Sequence, residues 1–429
     1  MLHGAVHPSG HAIISERRSH RRYMKITGPA SDPSFTVADS TRNESVVCGG
    51  RRIDRYVAEF WTARQRQANP LHELSYRACF KPQLPRFFIE RLTCPGDLVY
   101  DPFSGRGTTA LESALLDRRV VANDVNPLSA LLAAPRLAPP GCPDLVAARM
   151  AEYGLDPCAR AELDLSMFYH PVTEAALVSL RRALLARAAA GGDDDLDRWI
   201  RMVATNRLTG HSPGFFSVYT LPPNQAASPS GQRRINTRRG QVPPERDVAA
   251  LVVRKTAQLL RGLDTATRDR LARRREDACF LTGDARATPA IGSGSVRLTV
   301  TSPPFLDQVA YAKDNWLRCW FNGFDPEYVG AAITMARTVS AWSAAMADVF
   351  AELYRVTAPG GHVAFEVGEV RRGTVPLDEH VVPLGEAAGF ACRAILVNTS
   401  RFTKTSHIWG VENHSRGTNT NRIVLFHKE

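Results

Sequence analysis

The 429-residue sequence predicts an α/β fold, a doubly wound sheet with an antiparallel C-terminal edge and a helical, basic insertion. Three observations predict it. A short apolar strand at Leu98–Tyr100 runs into a glycine-rich turn and a helix, and a second strand and helix follow. Strand and helix patterns alternate again from residue 279 to the C-terminus, where the last two strands form an antiparallel pair. Between these parts, residues 137–278 contain helical patterns around an irregular basic loop.

The N-terminal part carries weaker patterns. Residues 1–50 are rich in Ser, His, Arg, Gly and Pro, and we expect a flexible tail there. Apolar residues at helical spacing predict a helix over 53–67, in IDRYVAEFWTARQRQ. A further helix is expected near Gln83, directly before the first strand of the sheet.

The turn DPFSGRGTT follows a strand and opens a helix, as in half of a Rossmann-like unit. Without side chains at Gly105 and Gly107, a ligand can approach the backbone closely. Asp124 ends the next strand, where an acid can accept hydrogen bonds from ribose hydroxyls. Two threonines stand where a phosphate-binding P-loop has its lysine, which favours a nucleoside over a nucleoside triphosphate. Helix capping is the alternative role for Asp101 and Asp124.

The segment TSPPF, residues 301–305, directly follows the apolar strand VRLTV. Its two prolines exclude a helix and stiffen the loop, and their carbonyls can accept hydrogen bonds from an amino group. Phe305 can stack on a planar ring. Because ligands bind at the carboxyl ends of parallel strands, the loop is predicted to hold a flat base with an exocyclic amino group. A turn with a core phenylalanine is the alternative.

The net charge of +11 is unevenly distributed. From Arg198 to Arg275 there are sixteen Lys and Arg against four Asp and Glu, a local net charge of +12. Such an excess favours a polyanionic partner, although a solvated basic face or a disordered basic loop would look the same. The candidate phosphate and base contacts are Arg233, Arg234, Arg238 and Arg239 with Phe215, Phe216 and Tyr219.

Other function classes are disfavoured. The sequence has no run of eighteen apolar residues, so no membrane span is predicted. The basic N-terminus lacks an apolar stretch typical of a secretory signal, so we expect a cytoplasmic protein. Eight cysteines show neither CxxC pairs nor zinc-ligand spacing, and neither disulfides nor a metal site are expected.

Together, DPFSGRGTT and TSPPF resemble the amino-methyltransferases that use S-adenosylmethionine, specifically the bacterial DNA cytosine-N4 methyltransferases. The segment ACFKPQLPRFFIERL is similar to the helical motif before the cofactor loop of that family, and GDAR to its adenine-binding motif. The resemblance covers residues 72–135 and 279–429. After the tail expected from composition (1–50), it implies a cofactor-binding half (51–136), a target-recognition insertion (137–278) and a catalytic half (279–429).

The resemblance also implies roles for individual residues. The implied cofactor-binding residues are Phe80, Lys81, Pro82, Asp101, Pro102, Phe103, Gly105, Gly107, Thr108, Thr109, Asp124, Val125, Asp284 and Ala285. The implied catalytic residues are Ser302, Pro303, Pro304 and Phe305. In this family the target base is flipped out of the stack, and Ser302 and the Pro303 carbonyl would hold its amino group while the nitrogen attacks the sulfonium methyl.

The substrate stays open at this point. Serine at position 302 favours cytosine N4, whereas Asp or Asn there is usual in related enzymes that act on adenine N6 or RNA guanine. Adenine in DNA and a base in RNA are alternatives, because phosphate contacts carry no sequence information. A non-catalytic nucleic-acid-binding protein is a further alternative. The resemblance also suggests a cognate restriction endonuclease as a partner.

Overall fold

The computed structural model describes residues 23–26, 35–38, 42–61, 68–76, 79–221, 226–304, 311–333, 336–367, 376–403 and 416–429. The chain separates into two units, Met1–Arg42 and Asn43–Glu429. In the first unit, β1 (Tyr23–Ile26) pairs antiparallel with β2 (Phe35–Ala38).

A nine-stranded sheet organises the second unit, in the order β3-β4-β10-β11-β9-β8-β5-β6-β7. The strands are β3 (Arg42–Cys48), β4 (Arg51–Ala58), β5 (Leu98–Asp101), β6 (Arg119–Asp124), β7 (Cys279–Thr282), β8 (Val296–Thr301), β9 (Thr357–Val367), β10 (Ala391–Thr403) and β11 (Arg416–His427). Strands β5 to β9 run parallel, and β11 is antiparallel to both of its neighbours. The predicted α/β sheet is confirmed.

Thirteen helices occur in the described part of the chain. They are α1 (Gln83–Leu92), α2 (Thr108–Leu115), α3 (Leu128–Ala133), α4 (Pro143–Glu152), α5 (Pro171–Ala189), α6 (Asp195–Arg207), α7 (Pro229–Arg239), α8 (Val248–Leu259), α9 (Thr265–Glu276), α10 (Tyr311–Asn322), α11 (Pro326–Ala332), α12 (Val339–Val356) and α13 (Leu377–Ala387). None of these described helices has the length and apolar character that crossing a membrane requires.

The sheet has a hydrophobic core on each face. Val120 and Ala122 of β6 pack with α2, α3 and the insertion helices, whereas Val121 between them packs with α12 and α13 on the opposite face. This alternation follows from the two-residue period of a strand. Helices on both faces explain why the central strands β5, β6 and β8 are buried along most of their length.

The antiparallel pair β10–β11 is confirmed, but its expected place at the sheet edge is wrong. Strand β4 pairs parallel with β10, and β3 extends the sheet further. Strands β3 and β4 are joined by Gly49 and Gly50, both with positive φ, as a type I′ hairpin turn requires.

Two predictions for the N-terminal part of the chain are wrong. Strands β1, β2 and β3 lie within the residues expected to form a flexible tail. The helix was expected over 53–67, but residues 53–58 belong to β4, and residues 62–67 lie outside the described ranges. Pairing with β10 overrides the helical spacing, and the Asn398 side chain accepts hydrogen bonds from the backbone N–H groups of Phe60 and Trp61 at 2.8 and 3.1 Å.

In the insertion, the predicted helices α5, α6 and α8 are confirmed. The stretch expected to be an irregular basic loop contains a regular helix, α7. Ser228 caps its first turn by accepting from the N–H of Gly231, and Gly240 ends it with φ +58°. Phe215 and Phe216 are buried, so the prediction that these two rings contact bases is wrong.

Candidate active site

The carboxyl ends of the neighbouring strands β5, β6, β7 and β8 meet at one pocket. Its lining residues are Tyr76, Pro102, Phe103, Gly105, Asp124, Val125, Asn126, Gly283, Asp284, Ala285, Arg286, Ser302, Pro303, Pro304, Ala332, Ile333, Trp342, Ala345, Met346 and Val349. The pocket thus combines residues from the glycine loop (DPFSGRGTT, 101–109), the GDAR segment (283–286) and the proline loop (in TSPPF, 301–305), which are far apart in the sequence. This edge is where open parallel sheets bind ligands.

The glycine loop is fastened to the end of β6 by Asp124. One carboxylate oxygen of Asp124 accepts the N–H of Gly105 at 2.8 Å, and the other accepts the N–H of Asn126 at 2.9 Å. Gly105 has a φ of +52°, a conformation that other residues adopt at a cost. The loop shape and the carboxylate position therefore depend on each other.

The environment of Asp124 sets its charge. Burial raises the pKa of Asp124 to about 6, while the two backbone N–H donors oppose that rise by favouring the carboxylate. At neutral pH the group is mostly ionised and acts only as an acceptor. Each carboxylate oxygen has a second lone pair, and the group lies at the pocket wall, so it can accept hydrogen bonds from ligand hydroxyls.

Gly107 and the threonines after it belong to the glycine loop but are not among the lining residues. Gly107 has a φ of +74°, and a Cβ there would lie 2.4 Å from the Cβ of Ala133. Glycine is therefore required at 107 by packing against α3. Thr108 and Thr109 are buried, and the Thr109 hydroxyl donates to the carbonyl of Val300 in β8 at 3.0 Å.

Asp101 is also placed behind the pocket wall. It is 1% exposed, and its Oδ1 accepts from the Thr301 hydroxyl at 2.6 Å and from the N–H of Phe103 at 3.1 Å. Burial raises the pKa of Asp101 to about 7. The side chain therefore connects the end of β5 to the end of β8, while Pro102 and Phe103 reach the pocket.

The residues before α1 are not among the pocket lining either. Phe80 is half-buried, Lys81 is exposed, and Pro82 is buried at the N-cap of α1. Tyr76 lines the pocket instead, and its hydroxyl accepts a hydrogen bond from the Asn126 side chain at 3.4 Å. The sequence reasoning missed Tyr76 and Asn126, although Asn126 lies only two residues after Asp124.

Asp284 and Ala285, after β7, both line the pocket. The Arg286 guanidinium holds the Asp284 carboxylate in a bidentate pair, with Nε 3.0 Å from Oδ1 and Nη2 2.6 Å from Oδ2. Arg286 thereby lowers the pKa of Asp284. The carboxylate expected to bind an adenine amino group is thus already engaged by a side chain that the sequence reasoning missed.

The proline loop follows β8, and its predicted residues Ser302, Pro303 and Pro304 all line the pocket. The indole N–H of Trp342 in α12 donates to the Pro304 carbonyl at 3.0 Å. Phe305 lies outside the described residues. With the Pro304 carbonyl already engaged, the Ser302 hydroxyl and the Pro303 carbonyl are the better placed acceptors for an amino group.

A buried glutamate stands beside the proline loop. Glu366 is near the end of β9, which pairs with β8 so that Phe365 is opposite Thr301. The carboxylate of Glu366 accepts a hydrogen bond from Asn421 Nδ2 at 2.9 Å. Burial raises the pKa of Glu366. The sequence reasoning missed it, although a lone acid in the apolar strand VAFEV is a usable signal.

The predicted DNA contacts lie on α7. Arg233, Arg234, Arg238 and Arg239 are all exposed. Arg233 pairs with Asp164, and the Arg239 guanidinium lies 3.9 Å above the centre of the Tyr219 ring. The segment entering α7 is attached to α10 through a hydrogen bond of 3.1 Å from the Trp316 indole to the Ala227 carbonyl.

Much of the remaining basic stretch is neutralised locally. Its ion pairs with acids elsewhere include Arg198–Asp193, Lys255–Glu73, Arg274–Asp117 and Arg275–Asp195. Part of the local charge of +12 is therefore balanced by acids outside the stretch, while α7 presents a smaller group of exposed arginines.

Residues 23–132 match the family model described as DNA methylase. The match includes the glycine loop and Asp124 and ends before the insertion and the proline loop. This part of the chain is thus similar to the DNA methylase family. The type II methyltransferase M.MjaII of Methanocaldococcus jannaschii is 34% identical over 62 residues, 14% of this chain and 12% of that protein. The aligned segment therefore represents a small part of the curated relative.

Solved structures give more distant likenesses. A SAM-dependent methyltransferase from Methanosarcina mazei matches 80% of this chain and 96% of its own, at 9% identity and a TM-score of 0.31. A Thermus thermophilus protein described as a DNA modification methylase matches 34% of this chain and 50% of its own, at 23% identity and a TM-score of 0.20. The fold of this chain is therefore described from its own strand order.

Proposed function

We propose that this chain is a DNA methyltransferase that uses S-adenosylmethionine to methylate the exocyclic N4 of a flipped cytosine. One observation carries the proposal: the Asp124 carboxylate and the Ser302–Pro303 acceptors line the same pocket. The first suits a nucleoside cofactor, and the second suits a base with an amino group. A pocket that accepts both brings the two reactants of an amino-methylation together.

The pocket residues fit the cofactor. Asp124 would accept the ribose hydroxyls, and Phe103, Val125 and Ala285 would flank the adenine ring with apolar surface. Asp284 would accept the adenine amino group once Arg286 releases one of its oxygens. When bound, S-adenosylmethionine supplies a methyl group carried on a positively charged sulfur.

The proline loop would orient the target amino group. The amino nitrogen of cytosine is a weak nucleophile because its lone pair is delocalised into the ring. Acceptors at the Ser302 hydroxyl and the Pro303 carbonyl would bind its N–H groups and raise the electron density on the nitrogen. The Trp342 hydrogen bond fixes the loop before the base arrives, so positioning contributes more than a strong base.

The family match and the exposed arginines of α7 support DNA as the polymer. The serine at 302 supports cytosine, because the adenine enzymes that the chain resembles carry Asp or Asn there. A base can reach the pocket only after leaving the duplex stack, so base flipping belongs to the proposal.

The experiment is transfer of a labelled methyl group from S-adenosylmethionine to DNA and to RNA of matched sequence, with sinefungin as the inhibited control. We expect label in DNA that sinefungin abolishes, and none in the S302A variant. Label in RNA alone would contradict the choice of polymer. Cofactor binding in calorimetry with no transfer to either polymer would contradict the methyltransferase itself.

A further inference from the structure

Two buried arginines are joined by hydrogen bonds beside the pocket. The carbonyl of Ser75 accepts from Arg318 Nη2 at 2.9 Å and from Asn206 Nδ2 at 2.8 Å. The side-chain oxygen of Asn206 in turn accepts from Arg207 Nη2 at 2.7 Å. Ser75 directly precedes Tyr76, which lines the pocket. Arg207, at the end of α6, and Arg318, on α10, are therefore held in one short network next to the pocket.

Within the described ranges, neither guanidinium forms an ion pair with an acidic side chain. Arg207 is 8% exposed, and its Cζ lies 4.0 Å from the centre of the Phe215 ring. Arg318 is 6% exposed and donates to the side-chain oxygen of Asn315 at 2.9 Å. Among the described groups, Arg207 Nη1 and Arg318 Nε have no hydrogen-bond partner. Because burying an unpaired charge is costly, a negatively charged ligand would be stabilised here.

The charges around the two arginines leave an excess of positive charge. Burial lowers the pKa of Arg207 to about 10, and the positive charge of Arg318 lowers it further, but both groups stay protonated at neutral pH. Asp314, one helical turn before Arg318, is also buried and offsets part of this charge. Glu73, which also acts on Arg207, pairs with Lys255 at 3.7 Å.

We propose that Arg207 and Arg318 form an oxyanion site, and that its ligand is a phosphodiester group of the DNA strand that carries the target base. This inference rests on the proposed function. It assigns a binding role to two buried side chains that belong neither to the pocket lining nor to the exposed arginines of α7.

The place of the pair in the fold favours a phosphate. Arg207 belongs to the insertion and Arg318 to the helix that follows the proline loop, so the pair lies where these two parts meet. A base flipped into the pocket stays attached to its strand, and its phosphates follow it to the pocket. The planar fork of a guanidinium matches two phosphate oxygens. Such a contact would hold the strand whatever the base.

Burial also distinguishes this site from the surface of α7. Salt screens exposed charges within about 10 Å at 0.1 M, and it screens buried charges much less. Loss of an α7 arginine should therefore matter less as the salt concentration rises. Loss of Arg207 or Arg318 should weaken DNA binding at high salt as well.

The test compares wild type with R207Q, R318Q and R318K, and R201Q is the matched control. Arg201 lies on the same helix as Arg207 and donates to the side-chain and main-chain oxygens of Asn322 at 2.8 and 2.9 Å. R318K keeps the charge and removes the planar fork, so it tests the site even where a glutamine variant fails to fold. Urea unfolding checks the fold of each variant.

Three affinities are measured. Calorimetry provides the affinity for inorganic phosphate and, separately, for S-adenosylhomocysteine. Anisotropy provides the affinity for a duplex that the wild type methylates, at low and high salt. The same duplex is also made with a single uncharged methylphosphonate at each linkage next to the methylated base.

We expect R207Q and R318Q to bind inorganic phosphate at least about tenfold more weakly than wild type and R201Q, with R318K between them. Both glutamine variants should bind DNA about tenfold more weakly at low and high salt. One methylphosphonate should weaken DNA binding by wild type about tenfold and by R207Q by less than about twofold. The affinity for S-adenosylhomocysteine should stay within about twofold in every variant.

Equal phosphate affinity in wild type, R207Q, R318Q and R318K would overturn the oxyanion site. Weaker binding of S-adenosylhomocysteine by R207Q and R318Q with unchanged DNA affinity would overturn the choice of phosphate, because the cofactor carboxylate would then be the ligand. Absence of methyl transfer by wild type would overturn the proposed function instead. In that case the affinity for inorganic phosphate still decides whether the two arginines bind an oxyanion.

Discussion

Trp342 donates its indole N–H to the carbonyl of Pro304 at 3.0 Å, which joins helix α12 to the proline loop. Trp342 is buried and also lines the pocket. Without this bond the carbonyl would lose its partner, and the loop would depend on its prolines alone for its shape. A residue 38 positions from Pro304 thus determines how the loop meets a base.

This relationship predicts the effect of W342F, which removes the N–H donor and keeps an aromatic ring. We expect kcat to fall about tenfold, with cofactor affinity changed by less than about threefold, because one buried hydrogen bond of the loop is lost. Steady-state kinetics and calorimetry measure the two effects. An unchanged kcat would show that the prolines alone hold the loop.

Asp124 is predicted to dominate cofactor affinity. We expect D124A to bind S-adenosylhomocysteine about 10- to 100-fold more weakly, since hydrogen bonds to an ionised group and the tether to Gly105 are lost. The matched control is D264N, which alters a capping acid of α9 outside the pocket lining. Calorimetry provides the affinities, and equal binding by D124A and wild type would contradict the assignment.

The same carboxylate predicts a pH dependence. Burial raises the pKa of Asp124 to about 6. As pH decreases through that value, the carboxylate is protonated and one of its acceptor oxygens becomes an O–H donor. Wild-type affinity for S-adenosylhomocysteine should therefore be constant above about pH 7 and fall below about pH 6, whereas D124N should show a flatter profile. Parallel profiles for the two proteins would contradict this origin of the pH effect.

The two loop glycines are predicted to differ in stability effects. G107A forces a Cβ to within 2.4 Å of Ala133 Cβ at positive φ, and we expect the free energy of unfolding to fall by about 3 kcal/mol. G105A places its Cβ at an ordinary 3.6 Å from the Tyr76 ring and should lose about 1 kcal/mol through its φ alone. Urea unfolding measures both, and equal losses would contradict the packing account.

The exposed arginines of α7 are predicted to bind phosphates. The R234A/R238A double variant should weaken DNA binding and reduce the slope of log affinity against log salt by about 2. R198A is the control, because Arg198 on α6 is exposed but already paired with Asp193. Anisotropy titrations at several salt concentrations measure the slope. An unchanged slope in the double variant would place the DNA surface elsewhere.

Features carried by consecutive residues were predictable from the sequence. Strand, glycine loop and helix follow one another directly, and the pocket gathers Gly105, Asp124, Asp284 and Ser302 as expected. The partners of these residues come from distant segments. Trp342 on α12 and Glu366 on β9 lie beside the proline loop, and although VAFEV marks Glu366 as a lone acid, no local pattern places either residue next to that loop.

The wrong predictions have physical causes. In β4, Ile53 and Tyr56 are spaced as on a helix, but pairing with β10 satisfies the backbone of this segment as a strand. In α7, Gln232 is the buried residue of an otherwise exposed or half-buried helix, so its sequence has no apolar periodicity. Long-range strand pairing determines the conformation of β4, and capping by Ser228 and Gly240 determines the ends of α7.

The central claim is that the pocket methylates the amino nitrogen of cytosine in DNA. Its most direct test is digestion of DNA treated with enzyme and S-adenosylmethionine, followed by mass spectrometry of the nucleosides against authentic standards. We predict N4-methyl-2′-deoxycytidine, absent from reactions with S302A. N6-methyl-2′-deoxyadenosine as the product would contradict the role given to Ser302 in choosing the base.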